Sequence, residues 1–170
     1  MKSTNILYLL MVVLLLTSVA VYGQKKSKEK APDTQQQDEA KIKAIIEQET
    51  KAFFEIDQKT WADLWVHEPY AFWSFADTTD VNSFSGWDEI YKGFNNYFKT
   101  SKPSTAKITR TWHHIRIAGN FAYIRFTQEV SDNIGRPPQA EVRVMEKING
   151  QWKIVCVSVI AVQKENEPVR

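Results

Sequence analysis

The chain has 170 residues, 43% hydrophobic and 12% aromatic, with 22 Lys+Arg against 20 Asp+Glu and a single cysteine. One domain of ~100–200 residues is the default at this length, and the composition is too apolar and too near charge balance for a wholly disordered chain. Cys156 alone excludes an internal disulfide framework and a cysteine-clustered zinc site, and a formal net charge of +2 gives no basis for nucleic-acid binding by phosphate neutralisation.

Lys2 precedes an apolar stretch, Ile6 to Val21, which meets the polar run Gln24 to Lys30. This is the three-part form of a secretory signal peptide. Residues 1–23 are expected to be removed after Gly23 and the mature protein exported, to a periplasm or to the medium, with no membrane contact once the signal is gone. The competing reading is an uncleaved anchor, but the apolar core is shorter than the ~20 residues that a spanning helix needs. Residues 24–38 hold four lysines, Pro32 and Gln35-Gln36-Gln37, with no apolar period, and read as a disordered polar spacer.

The folded domain is expected over residues 39–163, with a polar tail at 164–170. From Asp38 onward Ile42, Ile45, Ile46, Phe53 and Ile56 recur at helical spacing, with Lys41, Lys43, Glu47 and Lys51 facing away. Asp57 is placed to cap a short second helix carrying Trp61, Leu64 and Trp65, which Pro69 must stop. Tyr70 to Phe75 reads as an aromatic strand, Asp77 to Asp80 as a turn, and Val81 to Phe84 as its partner strand. A third helix follows, with Ser85 and Asp88 at capping-box spacing and Trp87, Ile90, Tyr91, Phe94, Tyr97 and Phe98 along one stripe.

After Pro103 the period becomes two, and strands are expected at roughly 106–118, 121–131, 139–148 and 151–162. Gly119-Asn120 and Asn149-Gly150 are two-residue hairpin turns. Pairing Ala118 with Phe121 sets Ile117, Ile115, His113 and Thr111 opposite Ala122, Ile124, Phe126 and Gln128 on one largely apolar face. The other face then holds Trp112 opposite Thr127 and an ion pair between Arg110 and Glu129. Pairing Ile148 with Gln151 sets Met145 opposite Ile154, Arg143 opposite Cys156 and Glu141 opposite Ser158, while Val144, Val142 and Ala140 meet Val155, Val157 and Val159. Both faces are apolar enough to be covered, one by helices and the other by a second subunit.

This order resembles the SnoaL-like branch of the nuclear-transport-factor-2-like superfamily. The matching pieces are Asp57 through Trp65, Ser85-Gly86-Trp87-Asp88-Glu89-Ile90, Gly119-Asn120-Phe121-Ala122, and Glu141-x-Arg143-x-x-Glu146-Lys147 leading into Gly150-x-Trp152-Lys153-Ile154. The likeness spans about residues 38 to 163. It implies an α+β fold in which N-terminal helices pack in the concave face of a curved antiparallel sheet, a cystatin-like cone with an internal pocket. A homodimer through the outer sheet face is also implied, but no single reaction, because such folds host many activities. Related domains often carry histidines in the last strand where this chain has Cys156 and Ser158, which weakens a histidine mechanism there.

Among candidate site residues, Glu141 and Arg143 lie two apart on one face with Ser158 opposite, either a charge pair at a pocket wall or a structural ion pair. His113 beside Gln128 is either a buried ligand contact or base, or a core histidine satisfied by the amide. Trp61, Trp65 and Trp73 are candidates for an aromatic pocket lining, with core packing the alternative. His113 and His114 leave opposite faces of one strand and His67 has no helical partner, so no metal site is expected, and no cofactor either. The leading functional expectation is an exported protein holding a small, partly apolar ligand through Arg143, Glu141, His113, Gln128 and Ser158. An isomerase, cyclase or dehydratase with Glu141 or His113 as base is the alternative, and a dimeric interaction module with an aromatic-filled cavity is the third. Replacing Arg143 with Met is expected to cost ligand affinity while keeping the fold.

Overall fold

A computed structural model of the chain describes residues 34–131 and 137–161. The expected signal peptide, most of the spacer and the polar tail lie outside the described residues. Helices α1 (Thr34–Phe54) and α2 (Gln58–Asp63) come first, then strands β1 (Phe72–Ala76) and β2 (Val81–Ser85), helix α3 (Trp87–Thr100), and strands β3 (Lys107–Ala118), β4 (Phe121–Ser131), β5 (Gln139–Ile148) and β6 (Gln151–Ala161). None of the described helices is long and apolar enough to cross a membrane.

Helix α1 starts four residues before Asp38, so Gln35-Gln36-Gln37, read as spacer, forms its first turn. Glutamine is a good helix former, and an ion pair from Asp38 to Lys147 at the far end of β5 anchors that turn to the sheet. Ile42 and Ile46 of α1 are fully buried against a core that includes Ile90, Ile124, Met145 and Ile154. The Asp57 side chain accepts from the Thr60 amide and caps α2 as its position suggests. The cap of α3 differs from expectation. Gly86, at φ +88°, is the N-cap and no side chain caps the helix. The amides of Gly86 and Trp87 instead donate to the Ala71 and Glu68 carbonyls, so the loop before β1 satisfies two of the donors at the helix start.

The six strands form one curved sheet in the order β2-β1-β6-β5-β4-β3. It is mixed, and the expectation of a wholly antiparallel sheet fails at one junction, where β1 runs parallel to β6. The cause lies just upstream. The chain leaving α2 already lies along β6, with the Val66 amide donating to the Ile154 carbonyl and the Ile154 amide to the Leu64 carbonyl, and β1 continues in that direction.

Both hairpin turns sit where the sequence puts them, with Asn149 and Gly150 at φ +51° and +80° and Gly119 at φ +62°. Each hairpin then breaks register at a bulge. In the first, Trp112 pairs with Phe126 and His114 with Arg125, so His113 is the extra residue. In the second, Met145 pairs with Ile154 and Val144 with Cys156, so Val155 is extra. One inserted residue reverses which side chains face inward, and it bends the strand, which is how the sheet curves around α1. Beyond the bulges Arg110 and Trp112 therefore point inward and His113 does not. Likewise Val157 and Val159 face inward while Cys156 and Ser158 face out.

Gly93 of α3 has a packing role. A Cβ there would meet the Phe84 ring at 2.5 to 2.8 Å, and that ring is held against Trp73 and Phe94. In a helix interior Gly→Ala normally adds about 1 kcal/mol. Here Gly93→Ala is expected to lose about 1–3 kcal/mol through overpacking. Chemical denaturation of Gly93→Ala with and without Phe84→Ala checks this: the sign should reverse in the Phe84→Ala background, and a stabilised single variant would refute the clash.

Candidate functional site

The concave face of the sheet and the three helices leave a partly open cavity of about 180 Å³. Its apolar walls come from Phe53 and Phe54 of α1, Trp61 of α2, Trp73 and Phe75 of β1, Phe94 of α3, Val130 of β4, and Val157 and Val159 of β6. Its polar wall comes from Glu49 and Thr50 of α1, Gln128 of β4, and Gln139, Glu141 and Arg143 of β5.

The polar wall centres on a buried guanidinium. Arg143 is 4% exposed and Glu141 2%. Arg143 Nε and Nη2 approach Glu141 Oε2 at 2.9 and 2.6 Å, and Nη1 approaches Glu49 Oε2 at 3.3 Å. Glu49 also accepts from Trp61 Nε1 at 3.0 Å and from Thr50 Oγ1 at 3.4 Å. Beneath the group lies the Phe126 ring, 5.9 Å from Arg143 Cζ and 5.6 Å from Arg110 Cζ. Burial by itself would lower the pKa of Arg143, but the carboxylates of Glu141 and then Glu49 overcome it and hold the guanidinium above its ordinary value. Arg110 lies at the edge of the cluster and donates to Thr50 Oγ1 at 2.5 Å; burial lowers its pKa, partly offset by Glu141. Gln128 donates from Nε2 to Gln139 Oε1 at 3.4 Å, and its own Oε1 is buried without a partner.

Of the residues singled out from sequence, Arg143, Glu141, Gln128, Trp61 and Trp73 converge on this cavity. His113 does not. The first bulge turns it outward, where it is exposed and its Nε2 lies 2.7 Å from Thr127 Oγ1. Ser158 is likewise displaced by the second bulge to the outer face, where its hydroxyl meets that of Ser74 at 3.0 Å. Trp65 is buried against Trp61 and Trp87 and does not line the cavity. The ion pair expected between Arg110 and Glu129 is absent because Arg110 pairs with Gln128 and turns inward. Cys156 pairs with Val144, and burial raises its thiol pKa, with Arg143 offsetting in part.

The main residue that sequence reasoning missed is Glu49, with its neighbour Thr50. A signal was present: Glu49 lies seven residues after Ile42, three after Ile46 and four before Phe53, inside the apolar stripe of α1. A carboxylate on that stripe has to be buried, and a buried carboxylate needs a cation. Among the described residues no group of three or more His, Cys, Asp or Glu is placed to hold a metal ion.

No protein-family model matches the sequence, and no curated protein does. Solved structures do resemble the fold. A protein of unknown function from Shewanella oneidensis, described as NTF2-like (nuclear transport factor 2), aligns with TM-score 0.58 at 14% identity over 72% of this chain and 98% of its own. A candidate dehydratase of the NTF2-like family from Streptomyces avermitilis aligns with TM-score 0.58 at 15% identity over 76% and 99%. A candidate calcium/calmodulin-dependent protein kinase type II association domain from Thiobacillus denitrificans aligns with TM-score 0.59 at 12% identity over 71% and 94%. The α+β cone is thus the NTF2-like fold. Identities this low carry the fold alone, and the neighbours do not name the SnoaL-like branch.

Proposed function

From an NTF2-like fold with an unfilled, aromatic-walled cavity, we propose that this chain is an exported protein that holds a small molecule between the polar wall and the aromatic walls. The observation that carries the reading is the cavity itself. At about 180 Å³ it exceeds a ~150 Å³ apolar cavity of the kind that takes up benzene. Such a size suits one ring with a substituent, well below the ~300–1,000 Å³ of sites for larger ligands. Export rests on the signal-peptide pattern of residues 1–23.

Binding is favoured over catalysis by the state of the ionisable groups. The titratable side chains that line the cavity are Glu49, Glu141 and Arg143, and each is engaged with another of the three. With His113 and Ser158 on the outside, the described lining offers neither an imidazole base nor a serine or cysteine nucleophile. The interaction-module reading required a cavity plugged by its own aromatics, and this one is not. Native mass spectrometry of the protein purified from its own host tests the proposal. A retained small molecule is the expected result, and a protein that is empty and takes up no ring-sized probe would refute it.

A second part of the proposal concerns the outer sheet face. The second bulge brings Tyr123, Val144, Cys156 and Phe72 into one row across four strands, and Ala140, Ile160 and Ala76 align four positions along, with Arg125, Val142, Ser158 and Ser74 in the row between. Tyr123 is 43% exposed and Ile160 55%, and no described helix covers this face. Two apolar rows separated by the mutually bonded Ser74 and Ser158 hydroxyls fit a second copy of the chain, related by a two-fold axis. Light scattering should report a dimer that Val144→Glu converts to a monomer with an unchanged circular-dichroism spectrum. A monomeric parent protein would remove this part.

A further inference from the structure

Resting on the reading that the cavity holds a ligand, we infer that the ligand is an uncharged or cationic single-ring molecule that donates a hydrogen bond into the cavity, and not an organic anion. A lone arginine in a pocket ordinarily suggests a carboxylate or phosphate guest. Here the guanidinium is already occupied. All three of its nitrogens face carboxylate oxygens, two at Glu141 and one at Glu49. Among the side chains that line the cavity one cation stands against two carboxylates, with Arg110 as a second cation behind Thr50. Arg110, the other guanidinium nearby, donates from Nη2 to Thr50, keeps a buried Nε without a partner, and does not line the cavity. An anion entering beside Arg143 would displace an internal ion pair and meet like charge among buried groups, where both effects are larger than at the surface.

The vacant hydrogen-bonding capacity points the same way. Gln128 is 4% exposed, its amide nitrogen is directed to Gln139, and its Oε1 is buried without a partner. A buried acceptor left unmade is costly, and a donor from the ligand relieves that cost. On the opposite side Trp61, Trp73 and Phe94 present aromatic surface, which accepts a flat ring and favours a positive charge over a negative one.

Isothermal titration of the protein at pH 7 with benzamidinium, benzamide, benzoate and toluene tests this, because the probes share one ring and differ in charge and donor capacity. Benzamidinium and benzamide should bind, with benzoate weaker by at least ~tenfold. In Gln128→Met, which removes an unpaired polar atom and keeps the volume, benzamide should fall to the affinity of toluene. Benzoate binding as tightly as benzamide would overturn the inference while leaving the cavity a ligand site. Failure of all four probes, toluene included, would overturn the ligand-site reading itself and this inference with it. The ranking in the parent protein decides the matter even if the variant does not fold.

Discussion

Arg143→Met is expected to destabilise the fold by about 3–5 kcal/mol, because it leaves buried carboxylates without their cation. The sequence reading expects this variant to keep its fold and lose only affinity, on the premise of a single pair between Glu141 and Arg143. The geometry adds a second carboxylate, Glu49, on the far side of the same guanidinium. Removing the arginine therefore strands two carboxylates, in a place where the side chains of Arg143, Glu49 and Glu141 are at most 8% exposed. Making the whole cluster neutral should behave differently. Arg143→Met combined with Glu49→Gln and Glu141→Gln removes every charge of the triad, and a substantial part of the lost stability should return, since the cost lies in the unpaired ions more than in the missing bonds. Urea denaturation of the single and triple variants measures both quantities. A single variant within about 1 kcal/mol of the parent would mean that water reaches the cluster and screens it, as it does exposed pairs.

The difference between the two views of Arg143 shows where local pattern stops being informative. Turn chemistry and strand period are local, and they place all four C-terminal strands and both hairpin turns. The bulges at His113 and Val155 are set by the curvature the sheet needs to wrap α1, a requirement that no short stretch of β3 or β6 expresses. Each bulge flips the side-chain parity beyond it. Arg143 and Glu141 survive this because they sit on β5, the continuous partner, whereas Ser158 and His113 sit on or beyond the inserted residues and move to the other face. The parallel pairing of β1 with β6 joins residues more than eighty positions apart, and strand period is silent about such partners. Glu49 was legible in principle, as a charge on an apolar stripe, but its partner was not, because the contact with Arg143 spans 94 positions.

Trp61→Ala is expected to cost about 3–5 kcal/mol, the range for removing a large buried aromatic. Trp61 is 1% exposed and its ring lies 5.1 to 5.8 Å, centroid to centroid, from Phe98, Phe94, Trp87 and Trp65. Truncation removes those contacts and enlarges the cavity beside them. It also withdraws the indole N–H from Glu49 Oε1, and so acts on the same carboxylate that Arg143 holds. Trp61→Phe separates the two effects. It keeps most of the apolar surface and deletes the hydrogen bond, so its cost should be about 1–3 kcal/mol, the penalty for a buried acceptor left unpaired. The hydrogen-bond part should vanish in a Glu49→Gln/Trp61→Phe double variant if it acts through the charge on Glu49, which a double-mutant cycle in urea would show as coupling. The packing part should persist there and should carry a second signature: Trp61→Ala, with more room between α2 and β1, should take up a two-ring aromatic probe that the parent protein excludes. A Trp61→Ala variant that still rejects the larger probe would place this indole in the core and remove it from the wall of the ligand site.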